Sequence, residues 1–306
     1  VLKPRWFGLD VTVGGPADAH RSLDILAAAD AATTVIPLIG RMARWIGPLG
    51  APFYPDLAPL CSLMAVHGTP WLPSSTCYLA ARAAAWLQAI DAWSDDHGTE
   101  PAAVESGVAH YLEVVRGAAP DPGDPLAVSL AEIRDDVRGG PSAAAVFERW
   151  QEATEATIVG MRFERRIADA AAVGGRPPEL AEYLRHGAGS IGLAMMVTAT
   201  WSSMEEPELP ELIPDLRQPL YDASIAVRLA NDLRGHRREQ AEGNLDALAL
   251  GLSPEELGDL LDEHLTRCLQ RLRSLAAASP GPALALERLA IWSIRQYQRF
   301  DAGHVY

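Results

Sequence analysis

The spacing of apolar residues excludes most folds before any single residue is considered. Long Ala- and Leu-rich segments recur at helical spacing along the 306-residue chain, and alternating β-branched runs that would read as strands are hard to find. The predicted fold class is all-α, a single-domain bundle. Helices are expected at about 22–46 with a kink at Pro37, then at about 57–66, 75–96, 102–117, 125–138 and 142–172. Further helices are expected at about 178–187, 189–203, 215–242, 254–278 and 283–300. Pro and Gly stand where these should stop, in "GPLGAPFYP", "APDPGDP", "GGRPP" and "SPGP". None of these breaks is long enough for an interdomain linker, and no repeat is evident. Residues 1–306 therefore read as one helical domain, with an irregular segment over about 1–20.

Charge narrows the function. Asp and Glu number 40 against 26 Lys and Arg, a net charge of −14, which argues against nucleic acid or an anionic membrane surface as the main partner. An acidic chain that handles anions must do so through local basic groups or metal ions. Lys3 is the sole lysine, and the abundant Ala, Gly, Pro and Arg look like the product of a GC-rich genome, so arginine abundance alone says little about phosphate binding. Cys61, Cys77 and Cys268 match no zinc or disulfide spacing, which fits a reducing cytoplasm. No stretch reads as a signal peptide. Apolar runs such as "IGLAMMVTATW" at 191–201 are too short to insert across a bilayer. Val1 in place of Met implies a trimmed start.

Two acidic clusters carry the chemistry. In "NDLRGHRRE", Asn231, Gly235 and Glu239 stand at i, i+4 and i+8 and share one helix face, with Arg234, Arg237 and Arg238 around the sides. A solvated surface of mixed charge would also explain this stretch by itself. In "IDAWSDDHG", Asp91 and Asp95 share a face near a helix C-terminus, with Asp96 one residue further round. Acids there oppose the helix dipole and repel each other, an arrangement costing up to about 1 kcal/mol. A divalent cation would offset that cost, because Mg²⁺ takes oxygen from one or two carboxylates and completes its shell with water and substrate phosphate.

An Asp-rich helix followed by N-D-x-x-(S/T/G)-x-x-x-E, in that order on long helices, resembles the class I terpene synthases of the bacterial, single-α-domain kind. The resemblance implies a helical barrel in which the two motifs face each other across the mouth and hold three Mg²⁺ ions, or Mn²⁺ in their place, on a substrate diphosphate. It makes Asp91, Asp95, Asp96, Asn231, Gly235 and Glu239 the metal positions. The chain departs from the pattern at Ala92, the second position of D-D-x-x-D, and at Gly235, where water would complete the metal shell. Arg238 matches a diphosphate contact, and Asp232 is expected to stand behind Asn231.

The same resemblance implies an arginine that senses diphosphate, followed by a helix break whose carbonyl points into the cavity. "EYLRHGAGSIG" supplies Tyr183, Arg185 two residues later, and a break at Gly187 and Gly189. "WSIRQYQRF" offers Trp292, Tyr297 and an Arg299-Phe300 pair where the family carries Arg-Tyr, with Arg295 as rival to Arg299. Trp292, Trp201, Trp86 and Tyr221 are candidate cavity aromatics; ordinary core packing is the better explanation for any single one except Trp292, whose place in the cavity the resemblance supports.

The activity implied is ionisation of an allylic prenyl diphosphate and cyclisation of the resulting carbocation to a hydrocarbon or alcohol, in a monomer or a homodimer. Substrate length stays open between fifteen and twenty carbons; the wording from Asn231 to Leu248 looks somewhat like enzymes of bicyclic labdane-type diphosphates. Two other readings remain at this point. One is a chain-elongating trans-prenyltransferase, which should carry D-D-x-x-D twice and more lysines. The other is a non-catalytic helical isoprenoid-binding protein, to which Ala92 and Gly235 lend some weight.

Overall fold

The computed structural model describes residues 25–299 apart from His97 and Ala278, so the expected irregular segment at 1–20 and Phe300 lie outside the described residues. Eleven helices are present among the described residues: α1 (Ile25–Ile46), α2 (Leu57–Gly68), α3 (Ser74–Ser94), α4 (Pro101–Arg116), α5 (Pro125–Gly139) and α6 (Ala143–Ala172), then α7 (Leu180–Ser190), α8 (Leu193–Ser202), α9 (Leu209–Glu242), α10 (Pro254–Leu275) and α11 (Pro280–Arg299). No strand occurs among the described residues.

Which helices are central follows from their composition. Along α3, Cys77, Ala80, Ala81, Ala83, Ala85, Trp86, Ala89 and Ile90 are all buried, so the helix has no solvent face over most of its length. Its neighbour α8 is buried at nearly every position from Leu193 to Ser202. By contrast α10 buries Leu257, Leu261, Leu265, Cys268 and Leu272, a single stripe at helical spacing, and packs as an outer helix on α9. Helices α2, α3, α8, α9 and α11 contact one another in sequence and close a ring. One shared apolar core extends from α1 to α11.

Local chemistry sets the ends. Asp124 accepts hydrogen bonds from the amides of Leu126 and Ala127 to start α5, and Ser253 with Glu256 forms a capping box on α10. Two boundaries differ from expectation. Helix α9 begins at Leu209, earlier than the expected 215, because Pro210 stands in the first turn, where its missing N–H costs nothing, and the helix then carries Pro214 and Pro219 within it. The break between α7 and α8 falls at Ile191 and Gly192, whereas Gly187 and Gly189 lie inside α7. Gly192 has φ +65°, and a Cβ there would lie 2.3 Å from Leu87 Cδ1, so both backbone conformation and close packing on α3 require glycine. None of the described helices is long and apolar enough to cross a membrane.

Candidate functional site

The C-terminal end of α3, the middle of α6, the α7–α8 break and the C-terminal half of α9 converge on one cavity of about 60 Å³. Asp91 and Asp95 reach it from α3, Glu164 and Arg165 from α6, and Arg228, Asn231, Arg238 and Glu239 from α9, with Ser190, Ile191 and Tyr297 also on the wall. Directly adjoining it is an apolar chamber of about 50 Å³ inside the ring, which shares Leu87, Gln88, Ile191 and Tyr297 with the mouth. Leu60, Met64, Met196, Val227 and Trp292 line that chamber.

Electrostatics at the mouth are dominated by oxygen. Burial, and then the carboxylates of Asp95, Glu164 and Glu239, push the Asp91 carboxyl well above the usual range, while Arg228 opposes the shift. Asp95 is raised to about 6, chiefly by burial and then by Glu239. Glu164 is also raised by burial, against the opposing charge of Arg228 and a 2.6 Å hydrogen bond from Ser190. Four carboxylates thus face three guanidiniums, of which Arg165 is taken up by backbone carbonyls and Asp169, and the site is short of positive charge. Its donors are carboxylate and amide oxygens, the set a hard divalent cation prefers. Among the described residues no three His, Cys, Asp or Glu side chains cluster as a metal cage, so an ion here would need water or substrate oxygens as well.

Arg228 organises the centre. Its guanidinium is 7% exposed, donates to Glu164 at 2.5 Å and to the Tyr183 hydroxyl at 2.6 Å, and pairs with Asp232 at 2.8 Å. Tyr183 in turn donates to Asp232, which also accepts from the Ala247 amide. Gly187 makes room for this side chain, since a Cβ there would lie 3.0 Å from Arg228 Cγ. Asp232 therefore stands behind Asn231, holding Arg228 and tying the segment after α9 to the helix.

The acid crowding at the end of α3 has a partner of its own. Arg165, buried on α6, donates to the carbonyls of Ser94, Asp96 and Thr99 at 3.1, 2.9 and 3.0 Å and pairs with Asp169. A cation on the last carbonyls of a helix offsets the dipole that Asp91 and Asp95 oppose, so part of the compensation assigned to metal on sequence grounds belongs to Arg165. Arg165→Met is expected to destabilise the protein by about 3 kcal/mol in urea unfolding, because three carbonyls and Asp169 lose their donor. A loss below about 1 kcal/mol would contradict this role.

Several expected site residues are not brought to the mouth. Asp96 is exposed and turns its carboxylate to the Gly98 amide and Thr99 hydroxyl, which leaves Asp95 as the second acid at the cavity. Gly235 is buried but absent from the lining; a Cβ there would meet Arg238 Nη2 at 3.2 Å and Glu239 Oε1 at 3.3 Å, so its smallness lets that pair, 2.7 Å apart, fold over the helix. Arg185 points away from the carboxylates on the opposite side of α7 from Tyr183, and it lines a separate groove with Gly189, Trp201 and Tyr221. The Gly189 carbonyl accepts from Thr157. Trp86 is core, donating to the Leu126 carbonyl. Arg299 is exposed at the end of α11 and lines neither cavity, and Arg295 bonds Gln298. Trp292 and Tyr297 do reach the chamber.

Arg228 and Glu164 were not singled out from the sequence. Arg228 had a signal, a charge inside the apolar run "ASIAVRLA" four residues before an acid. Glu164 had none, standing among other charges in "MRFERR".

A closed ring of helices with an oxygen-rich mouth over an apolar chamber defines the architectural class of this protein. The family described as terpene synthase family 2, C-terminal metal binding, matches residues 82–250, more than half of the chain, and the chain belongs to that family. An ent-pimara-9(11),15-diene synthase from Streptomyces sp. (strain KO-3988) is 31% identical over 189 residues, covering 61% of this chain and 64% of that protein. The chain thus aligns with slightly less than two thirds of this relative's length. Among solved structures, a linalool/nerolidol synthase from Streptomyces clavuligerus in complex with 2-fluorogeranyl diphosphate superposes with a TM-score of 0.69 at 18% identity, over 87% of this chain and 95% of that one. A 2-methylisoborneol synthase from Streptomyces coelicolor A3(2) in complex with Mg²⁺ and 2-fluorogeranyl diphosphate gives 0.68 at 17% identity, over 88% and 93%. These last two likenesses speak for the fold.

Proposed function

We propose that the chain is a class I terpene synthase that binds an allylic prenyl diphosphate with its headgroup at the mouth and its chain in the ring, and releases diphosphate to form a terpene hydrocarbon or alcohol. The observation that carries this reading is the juxtaposition of Asp91, Asn231 and Glu239 oxygens and the Arg228 guanidinium at one mouth, directly over a chamber walled by Leu, Met, Val and Trp292. Asp91, Asn231 and Glu239, with Asp95, would hold divalent ions, which when bound neutralise the charge developing on the leaving group. Arg228, preorganised by Glu164, Asp232 and Tyr183, adds fixed positive charge at the same place, as does Arg238, which pairs with Glu239 and Glu242. Beneath them Trp292 adds an aromatic ring, whose quadrupole can stabilise a cation, to a wall of Leu and Val side chains that carry no nucleophile.

A twenty-carbon substrate, linear or bicyclic of the labdane type, is favoured by the similarity to the ent-pimara-9(11),15-diene synthase. Incubation with Mg²⁺ and ten-, fifteen- and twenty-carbon linear diphosphates and a bicyclic twenty-carbon diphosphate, followed by product analysis, tests it. Hydrocarbons or alcohols with matching diphosphate release are expected in Mg²⁺ and not in excess chelator. Longer diphosphates formed on adding isopentenyl diphosphate would instead mean a prenyltransferase, and no turnover of any substrate would mean a binding protein.

A further inference from the structure

The residues of α7 and α8 turned away from the mouth face a second groove, of about 350 Å³, between α6, α7, α8 and the N-terminal half of α9. Ala188 and Gly189 line it, whereas the next two residues, Ser190 and Ile191, line the mouth, so one helix wall separates the two. The groove's surface is mainly apolar, built on Trp201, Leu220 and Tyr221. Tyr221 is 43% exposed, so its ring is open to a ligand in the groove.

Charge at this groove runs against the charge of the chain. The protein carries −14 overall, yet Arg149, Arg185 and Arg217 all line the groove, with Glu152 the one carboxylate among the lining residues. Glu152 is taken by Arg149 at 2.6 Å. Among the described residues the Arg185 guanidinium hydrogen-bonds the ring of its neighbour His186 and forms no ion pair, and Arg217 makes no hydrogen bond or ion pair. Two guanidiniums without a carboxylate partner, beside an apolar trough, suit a multivalent phosphate attached to a hydrocarbon chain.

We propose that this groove is a second binding site for an isoprenoid diphosphate, one that needs no metal because arginines take the headgroup. The mouth works by the opposite chemistry, since its carboxylates repel an anion until cations intervene. The inference rests on the proposed function only for the choice of isoprenoid as ligand, and its test needs no turnover.

Isothermal titration of the full chain with farnesyl S-thiolodiphosphate, a ligand resistant to ionisation, in excess chelator separates the two sites. Saturable one-to-one binding is expected. Arg217→Glu, an exposed substitution that leaves the core untouched, should weaken it at least tenfold, and Tyr221→Ala should weaken it severalfold. Asp91→Asn should leave it unchanged. Inorganic diphosphate alone and farnesol alone should each bind at least tenfold more weakly than the intact amphipath. Absence of binding in chelator overturns the proposal, as does binding that ignores Arg217→Glu or is lost in Asp91→Asn, or inorganic diphosphate binding as well as the prenyl compound. Binding without any turnover in Mg²⁺ would keep this site and reject the synthase reading; turnover without chelator-resistant binding would do the reverse.

Discussion

Arg228→Lys is expected to lower kcat by about a hundredfold or more, the usual consequence of removing one preorganised donor from a site where charge develops. The side chain bonds Glu164, Tyr183 and Asp232 at once, which a planar fork can do and a single ammonium cannot. Lysine would leave Asp232, 1% exposed, and the Tyr183 hydroxyl short of a partner, so stability should also fall, by about 2–4 kcal/mol. Because the arginine would act on the leaving group as charge builds, most of the loss in kcat/KM should appear in kcat, with a smaller change in KM. Arg185→Lys is the contrast: facing the other side of α7, it should alter kcat by less than about threefold. Steady-state kinetics on both variants, at temperatures where circular dichroism shows them folded, decides between them. A crippled Arg185→Lys beside a normal Arg228→Lys would mean that the wrong arginine has been given the diphosphate.

Asp91→Asn should abolish turnover, by about a thousandfold or more, and at the same time make the metal-free protein more stable at neutral pH. The Asp91 carboxyl is held well above its ordinary value of 3.8 by burial and by Asp95, Glu164 and Glu239. A carboxyl raised in the folded state keeps a proton that the unfolded chain has already released. Stability therefore falls as pH rises from about 4 through the raised value, and Asp95, raised to about 6, acts the same way. Asn carries no charge to repel its neighbours, so the variant's advantage in Tm should grow between about pH 4 and pH 8 and vanish near pH 4. Mg²⁺ with inorganic diphosphate should stabilise the wild type more at pH 8 than at pH 5, since the ligands must lose their protons to bind. Thermal unfolding in chelator and in Mg²⁺ across this range checks both. A variant that loses Tm at pH 8 would show that Asp91 supports the fold.

How much of this was legible in the sequence depends on which physics fixed each part. Helix positions were legible because apolar spacing and Pro/Gly breaks are local, and ten expected segments lie within a few residues of those observed; α9 starts earlier because proline is tolerated in a first turn. The two acidic motifs were legible as helix faces, since Asp91 and Asp95, and Asn231 and Glu239, stand four and eight residues apart. What spacing could not give was the rotation of α7. "EYLRHGAGS" offers Tyr183 and Arg185 two residues apart, nearly opposite each other on a helix, and only packing on α9 decides which turns inward. Tyr183 does, drawn by Asp232 and Arg228, and Arg185 is left on the outer side with Gly189. Trp86 and Trp201 show the same limit, for an aromatic on an apolar helix is core or cavity wall according to neighbours far away in sequence.

The central claim is that the oxygens at the mouth hold divalent metal on a diphosphate that Arg228 also touches. Crystals soaked in Mn²⁺ and inorganic diphosphate, measured at the manganese absorption edge, test it without assuming a substrate. The account predicts anomalous peaks bound by Asp91 on one side and by Asn231 and Glu239 on the other, with the diphosphate between them and within hydrogen-bond reach of Arg228. Manganese bound elsewhere, or diphosphate seated at the mouth with no metal beside these residues, would contradict it.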